Sequence, residues 1–317
     1  MKKKLVFFFL RLFVTSGLLI ILFKFIPYQK LLQIYKDSRK EYIFLGLLIF
    51  FISLNIGILR WKYILFCLGI RLPLKEAFYS FFCGLFFNLF FSSFIAQDLF
   101  RGFSIVYRYK ELEKVTASLF MDRYSGTIAL SFLSFFSLFL KPKLIYRREV
   151  IIPVMFIFSA TLFVYLSIFN KRIFKLFLNL FKKNFSLVEK IKKFHHQFYF
   201  FKKKPYLFLK IMIFSFLIQI FTCFSFFIIS KAFYLDLNLI YFFTLVPVVT
   251  AISLIPITIA GLGTREAASV YFFSFLGVEK SIALGISLVN FFFWVFTAFL
   301  GGIIYVSVYY RRFQPHS

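Results

Sequence analysis

The sequence predicts an all-α, polytopic membrane helical bundle, and three observations carry that prediction. Of the 317 residues 61% are hydrophobic, more apolar surface than a soluble domain covers. Apolar stretches of about 20 residues, the length that crosses a bilayer as a helix, recur along the whole chain. Basic residues are gathered into a few short segments between those stretches. Inside lipid every backbone group must be satisfied internally, and stretches of this length do so as helices. We expect one transmembrane domain over residues 1–317 with about eight apolar segments, one or two of them re-entrant or broken.

The segments fall near 5–26, 42–59, 76–95, 115–140, 150–169, 207–230, 239–257 and 281–307. The first follows Met1-Lys2-Lys3-Lys4, as a secretory signal does, but Arg11 interrupts it and no small-residue cleavage site follows. That pattern reads as an uncleaved first helix. The third ends in the polar turn Gln97-Asp98, and the fourth carries Asp122-Arg123 just inside its start. Pro247 and Pro256 are expected to interrupt the helix ladder of the seventh, and residues 264–278 are too short to span. Phenylalanine is so frequent, 56 residues, that no single one is given functional weight.

The formal net charge of +27 is placed unevenly. Between Asn170 and Tyr206 eleven lysines and arginines, Lys171 to Lys204, face one acid, Glu189. By the positive-inside rule this 170–206 loop, the N-terminus and the Arg311-Arg312 tail are cytoplasmic, in a multi-pass cell membrane protein. Apolar residues recur in the loop at three- to four-residue steps, as in an amphipathic helix lying on the anionic cytoplasmic leaflet. That tethering argues against nucleic acid as the partner of the basic stretch. His195-His196 reads as a solvated pair, and Cys67, Cys83 and Cys223 as packing residues without metal-ligand spacing. No metal, cofactor or P-loop is expected.

An internal repeat follows from an offset of 164 positions, which lays Tyr42 on Tyr206, Ile95-Ala96 on Ile259-Ala260 and Arg101 on Arg265. The order helix, broken helix, helix then occurs twice, about residues 42–140 and 206–304. In so Phe- and Ile-rich a chain, chance likeness of hydrophobic segments is the competing account. Duplicated halves with broken helices facing one another are a way transporters build a midplane site. If every apolar segment crossed, the 170–206 loop would stand on the wrong side from Lys2 to Lys4. At least one segment must then be re-entrant, first of all 76–96.

The residues with chemistry lie at the two breaks. Ionisable groups at membrane depth cost roughly 2.5 to 3.5 kcal/mol each on insertion scales and mark function by default. The second break offers Gly261 and Gly263 for a tight turn, then Thr264 as a cap for a restarting helix whose N-terminus suits an anion. Arg265 adds a fork of donors for a phosphate, and Glu266 orients it or caps the helix. The competing reading is a surface loop with Arg265 snorkelling to the interface. The first break offers Asn88, Gln97, Asp98 and Arg101, with Asp122 and Arg123 nearby. Asp98 and Arg101, at helical spacing, also read as a self-neutralising pair. Together these residues are expected to line a polar path for a headgroup.

At these turns the chain resembles the lysylphosphatidylglycerol synthase transmembrane family, a flippase-like region, over most of its length. The resemblance rests on Leu59-Arg60-Trp61, Asn88-Leu89-Phe90, Gln97-Asp98 with Arg101, Met121-Asp122-Arg123, and Pro256 to Glu266. Ala96-Gln97 stands where the family has two glycines, and Ile259-Ala260-Gly261 where it has Pro-Gly-Gly, so both turns are stiffer than the family's. The resemblance implies a lipid translocase that moves an anionic, aminoacylated or glycosylated lipid between leaflets. It does not imply the aminoacyl transfer done by the soluble domain of full-length synthases, so enzyme activity is not the leading expectation. The alternative it leaves open is a subunit of a lipid or lipid-linked glycan modification pathway, partnered by a separate lipid-modifying enzyme.

Overall fold

Lipid offers no hydrogen bonds to a backbone, and the chain meets that demand with helices. The computed structural model describes residues 13, 15–18, 20–24, 26–91, 94–141, 144, 146–169, 200–201, 204–255, 257–258 and 261–309. The predicted basic amphipathic loop lies almost wholly outside the described residues, as do His195-His196, Lys2 to Lys4, Pro256 and Arg311-Arg312. Among the described residues there is no strand.

Helices α1 (Thr15–Lys24) and α2 (Tyr28–Asp37) meet at a bend of 77°. They are followed by α3 (Lys40–Cys67), α4 (Leu74–Phe91), α5 (Phe94–Tyr109), α6 (Leu112–Leu140) and α7 (Arg148–Phe169). After the loop come α8 (Pro205–Ala232), α9 (Leu239–Ser253), α10 (Thr264–Ser274) and α11 (Lys280–Ile304), which runs into a π-helical turn, Tyr305–Tyr309. Among the described residues α3, α6, α7, α8 and α11 are each long and apolar enough to cross a membrane, and α1 with α2 forms a bent sixth candidate. Pro247 does not break α9 as expected: it stays within the helix. Nor does Pro153 break α7.

The four helices α3 to α6 recur in order as α8 to α11. Helix α3 packs along α8, and the contacts fix the sense. The Arg39 N–H donates to Ala232 O (3.0 Å), Ser225 Oγ to Gly46 O (2.9 Å), and Ser53 Oγ lies 3.2 Å from Thr222 Oγ1. As one number rises the other falls, so α3 and its counterpart α8 run antiparallel. Small residues make the approach possible, as in membrane helix pairs generally. The other cross-contacts exchange in the same way, α6 packing on α9 and α4 on α11. Ser134 and Ser137 bond Thr244 at 2.8 Å in the first pair, and Gly301 meets the Phe82 carbonyl in the second.

Between the long helices each half carries a hairpin. Tyr109 at the end of α5 donates its hydroxyl to Arg71 O before α4 (3.1 Å), and Arg108 pairs with Glu76. In the second half the rings of Phe242 near the start of α9 and Phe273 near the end of α10 lie 5.4 Å apart. Both hairpins therefore return to where they began, and Gln97 and Arg101 of the first and Ser253, Leu254 and Arg265 of the second come together inside the bundle.

Candidate functional site

The hairpin tips meet around a cavity of about 240 Å³ whose wall includes Arg60, Gln97, Arg101, Asp122, Arg123 and Arg265. Arg60 stands seven residues from the end of α3, and Asp122 and Asn290 each ten residues into α6 and α11. At 1.5 Å per residue those positions lie ~10–15 Å inside their helix ends. The charged groups of the site thus stand well inside their helices rather than at the ends, and they are paired accordingly.

Asp122 is the hub of the first half. Its Oδ1 accepts from Arg60 Nε (2.9 Å) and its Oδ2 from both terminal nitrogens of Arg101 (3.2 Å). Asp98 closes the chain of charges, accepting from Arg101 Nη1 (3.3 Å) and Arg123 Nε (2.8 Å). Arg60 also reaches Ser215 Oγ (3.0 Å) on α8, which ties the two halves together. The Arg101 guanidinium, 1% exposed, lies 4.1 Å from the Trp61 ring centroid and 4.8 Å from that of Phe81. Aromatic faces stabilise a desolvated guanidinium by up to about 2 kcal/mol. Trp61 is in turn held by its indole N–H on Ser118 Oγ (3.2 Å).

The second half supplies Arg265 from the first turn of α10. Gly263, at φ +89°, occupies the N-cap position, and its N–H donates to Glu266 Oε2 (2.6 Å). Ser287 donates to the other carboxylate oxygen (3.2 Å). Glu266 is therefore the helix cap, one of its two predicted roles. Thr264 is not: its hydroxyl donates backward to Gly261 O (3.0 Å) and pairs with Thr258. Gly261, at φ +76°, leaves the space beside the Arg265 guanidinium open, since a Cβ there would stand 3.5 Å from Nη2 and 3.1 Å from Ser253 O.

The predicted residues thus divide into three groups. Gln97, Arg101, Asp122, Arg123 and Arg265 line one cavity although they come from distant parts of the sequence. Asp98, Gly261, Gly263, Thr264 and Glu266 set the position or pairing of those arginines. Asn88 sits beside the main cavity in a small side pocket shared with Arg265. Its Oδ1 is buried without a hydrogen-bond partner among the described residues, and so is Nδ2 of Asn290 on the main cavity wall.

Sequence reasoning did not place Arg60, Trp61, Ser215 or Asn290 at the site. Arg60 had a signal, a lone arginine within a long apolar helix. Ser215 and Asn290 are small polar residues of a kind common in such helices.

No three-residue cluster of His, Cys, Asp or Glu suited to a metal is found among the described residues. Cys67, Cys83 and Cys223 are free thiols, the last two buried. Compared with known families, the chain matches the one described as Lysylphosphatidylglycerol synthase TM region over residues 8–302. A search of curated proteins returned no match.

Proposed function

The chain belongs to the lysylphosphatidylglycerol synthase transmembrane-region family, and from that premise we propose that it is a lipid translocase whose central cavity holds an anionic headgroup. One observation carries the reading: Arg101 and Arg265, one from each hairpin of the repeat, line the same buried cavity. The surrounding charges support it. Four guanidiniums, Arg60, Arg101, Arg123 and Arg265, stand against three carboxylates, Asp98, Asp122 and Glu266. The surplus of one positive charge complements a single phosphodiester, and planar guanidinium forks match phosphate oxygens. Asp122 and Asp98 keep the first three arginines apart and oriented without neutralising the site. The cap on α10 directs its first backbone N–H groups toward the same region.

The antiparallel halves give the transport step a path. In this reading both hairpins are re-entrant, one from each side. The bent α1–α2 pair, α3, α6 and α7 then make four crossings before the basic segment, and α8 and α11 two more. That count puts the N-terminus, Lys171 to Lys204 and Arg311-Arg312 on one side, the cytoplasmic side by the positive-inside rule. The basic segment rests on the anionic cytoplasmic leaflet and concentrates anionic lipid near the protein. Inverted repeats around a midplane site allow access from either side by rocking one half against the other.

The test is transbilayer movement of a labelled anionic phospholipid in liposomes holding the purified protein. Arg265→Gln and the Arg101→Ala/Arg265→Ala pair are expected to lose most of the movement, while Arg265→Gln still elutes as a monodisperse folded protein. Equal movement in wild type and both variants would overturn the reading.

A further inference from the structure

A headgroup site at the midplane needs a place for the acyl chains that cannot follow it into a charged cavity. A second cavity of about 480 Å³ lies between α6, α7 and the end of α9, walled by Phe120, Tyr124, Phe156, Ile157, Ala160 and Ile252, among others. Its volume falls within the roughly 300–1,000 Å³ typical of small-molecule sites. The wall is mostly apolar; its polar groups are Arg123, Thr127, Thr161 and the Tyr124 hydroxyl, and Arg123 and Thr127 also line the central cavity. The two spaces therefore share a wall one helical turn long, apolar on one side and charged on the other.

Three features make this groove more than a gap between helices. Helix α7 lies outside the four-helix unit that recurs, so among the described residues the groove is not part of the repeat. Ala160 on α7 is small, among larger neighbours on that wall. Tyr124 is buried, and its hydroxyl has no hydrogen-bond partner among the described residues. A buried donor of that kind calls for an explanation, and an ester carbonyl just below a headgroup supplies one.

From this continuity we infer that the groove is the lateral portal for the lipid: one acyl chain of an anionic glycerophospholipid lies between α6, α7 and α9 while its phosphate passes Arg123 into the central cavity. Arg123 suits the threshold. Its Nε is held on Asp98 (2.8 Å) and its side chain is 36% exposed, so it is anchored and still partly accessible where the two spaces join. A water-soluble anion has no acyl chain to place and would not need the groove.

The inference rests on the translocase reading, and the experiment separates their failures. A photoreactive benzoylphenylalanine placed at Ala160 is compared with one at Phe163, which is exposed on α7 but does not line the groove. Both proteins are reconstituted in vesicles of one part phosphatidylglycerol to nine parts phosphatidylcholine. The Ala160 probe is expected to capture the anionic lipid at least threefold above its bulk share, and the Phe163 probe at its bulk share. Alongside, Ala160→Trp is expected to slow phospholipid movement tenfold or more in protein that elutes and melts as wild type does. Bulk composition at both probes, with normal movement in Ala160→Trp, overturns the portal even where movement depends on Arg101 and Arg265. Enrichment at Ala160 in a protein that moves no lipid supports the groove as a lipid site and removes the translocase reading instead.

Discussion

Replacing Asp122 by asparagine keeps the shape of the side chain and removes its charge, and the geometry gives the size of the effect. The carboxylate accepts from Arg60 at 2.9 Å and from Arg101 at 3.2 Å with its side chain 5% exposed. Both guanidiniums then lose their closest anion while they are largely buried, at 11% and 2% side-chain exposure. Removing one partner of a buried ion pair costs about 3–5 kcal/mol, mostly the penalty of the charge left behind. In Asp122→Asn, Arg101 keeps Asp98 at 3.3 Å while Arg60 keeps only the neutral Ser215. The greater part of the cost therefore falls on Arg60. At about 2 °C per kcal/mol for a chain of this length, melting in detergent should drop by about 6–10 °C. The control is Arg60→Met in the same background. It removes the stranded charge, so Asp122→Asn/Arg60→Met should melt higher than Asp122→Asn alone. The two changes should couple by about 0.5–3 kcal/mol, as neighbours in one network do. A single variant that melts within 1 °C of wild type would refute the hub assignment, as would a double variant whose loss is the sum of the two singles.

Two further outcomes test the scaffold and its surface. A Cβ at Gly301 would collide with the Phe82 carbonyl oxygen, a backbone atom that cannot rotate away. Gly301→Ala should accordingly cost about 1–3 kcal/mol and lower the melting temperature, whereas Gly285→Ala, 3.5 Å from the Phe233 ring, should melt as wild type does. At the start of α11 the Glu279 carboxyl is held below the usual carboxylate range by a hydrogen bond from Lys30 and then by one from Ser281. Its stabilisation is complete above the ordinary glutamate value of about 4.3 and is lost as pH falls through the depressed value. Melting of Glu279→Gln should match wild type at the acid end and fall slightly below it at pH 7, since exposed pairs contribute little.

Much of this architecture was legible along the chain because membrane insertion is written in one dimension. Uninterrupted apolar length specified the long helices α3, α6, α7, α8 and α11, and paired polar breaks located both hairpins. Arg101 and Arg265 stood out because each follows a polar break at the end of an apolar segment and the 164-position offset lays one on the other. Arg60 was visible as an arginine within an apolar helix and as part of Leu59-Arg60-Trp61, but not as a site residue, because its partners, Asp122 and Ser215, lie 62 and 155 positions away. The cap of α10 was also beyond local reading: Thr264 and Glu266 were both suitable by type. The φ of +89° at Gly263 decided between them, by aiming its own N–H at Glu266.

By itself, then, the sequence determined that the chain is a helical membrane protein, where its helices break, and which charges are too costly to be idle. Those follow from the transfer of single segments into lipid, which depends on composition and length alone. Only the tertiary structure decided that the halves run antiparallel and that both hairpin tips share one cavity. It also decided that Asp122 holds two arginines and that a groove lies between α6, α7 and α9. The reason is that pairing across the bundle depends on which small residues let two backbones approach, as Ser225 does at Gly46 and Phe82 at Gly301. That is a relation between distant positions, and no single segment carries it.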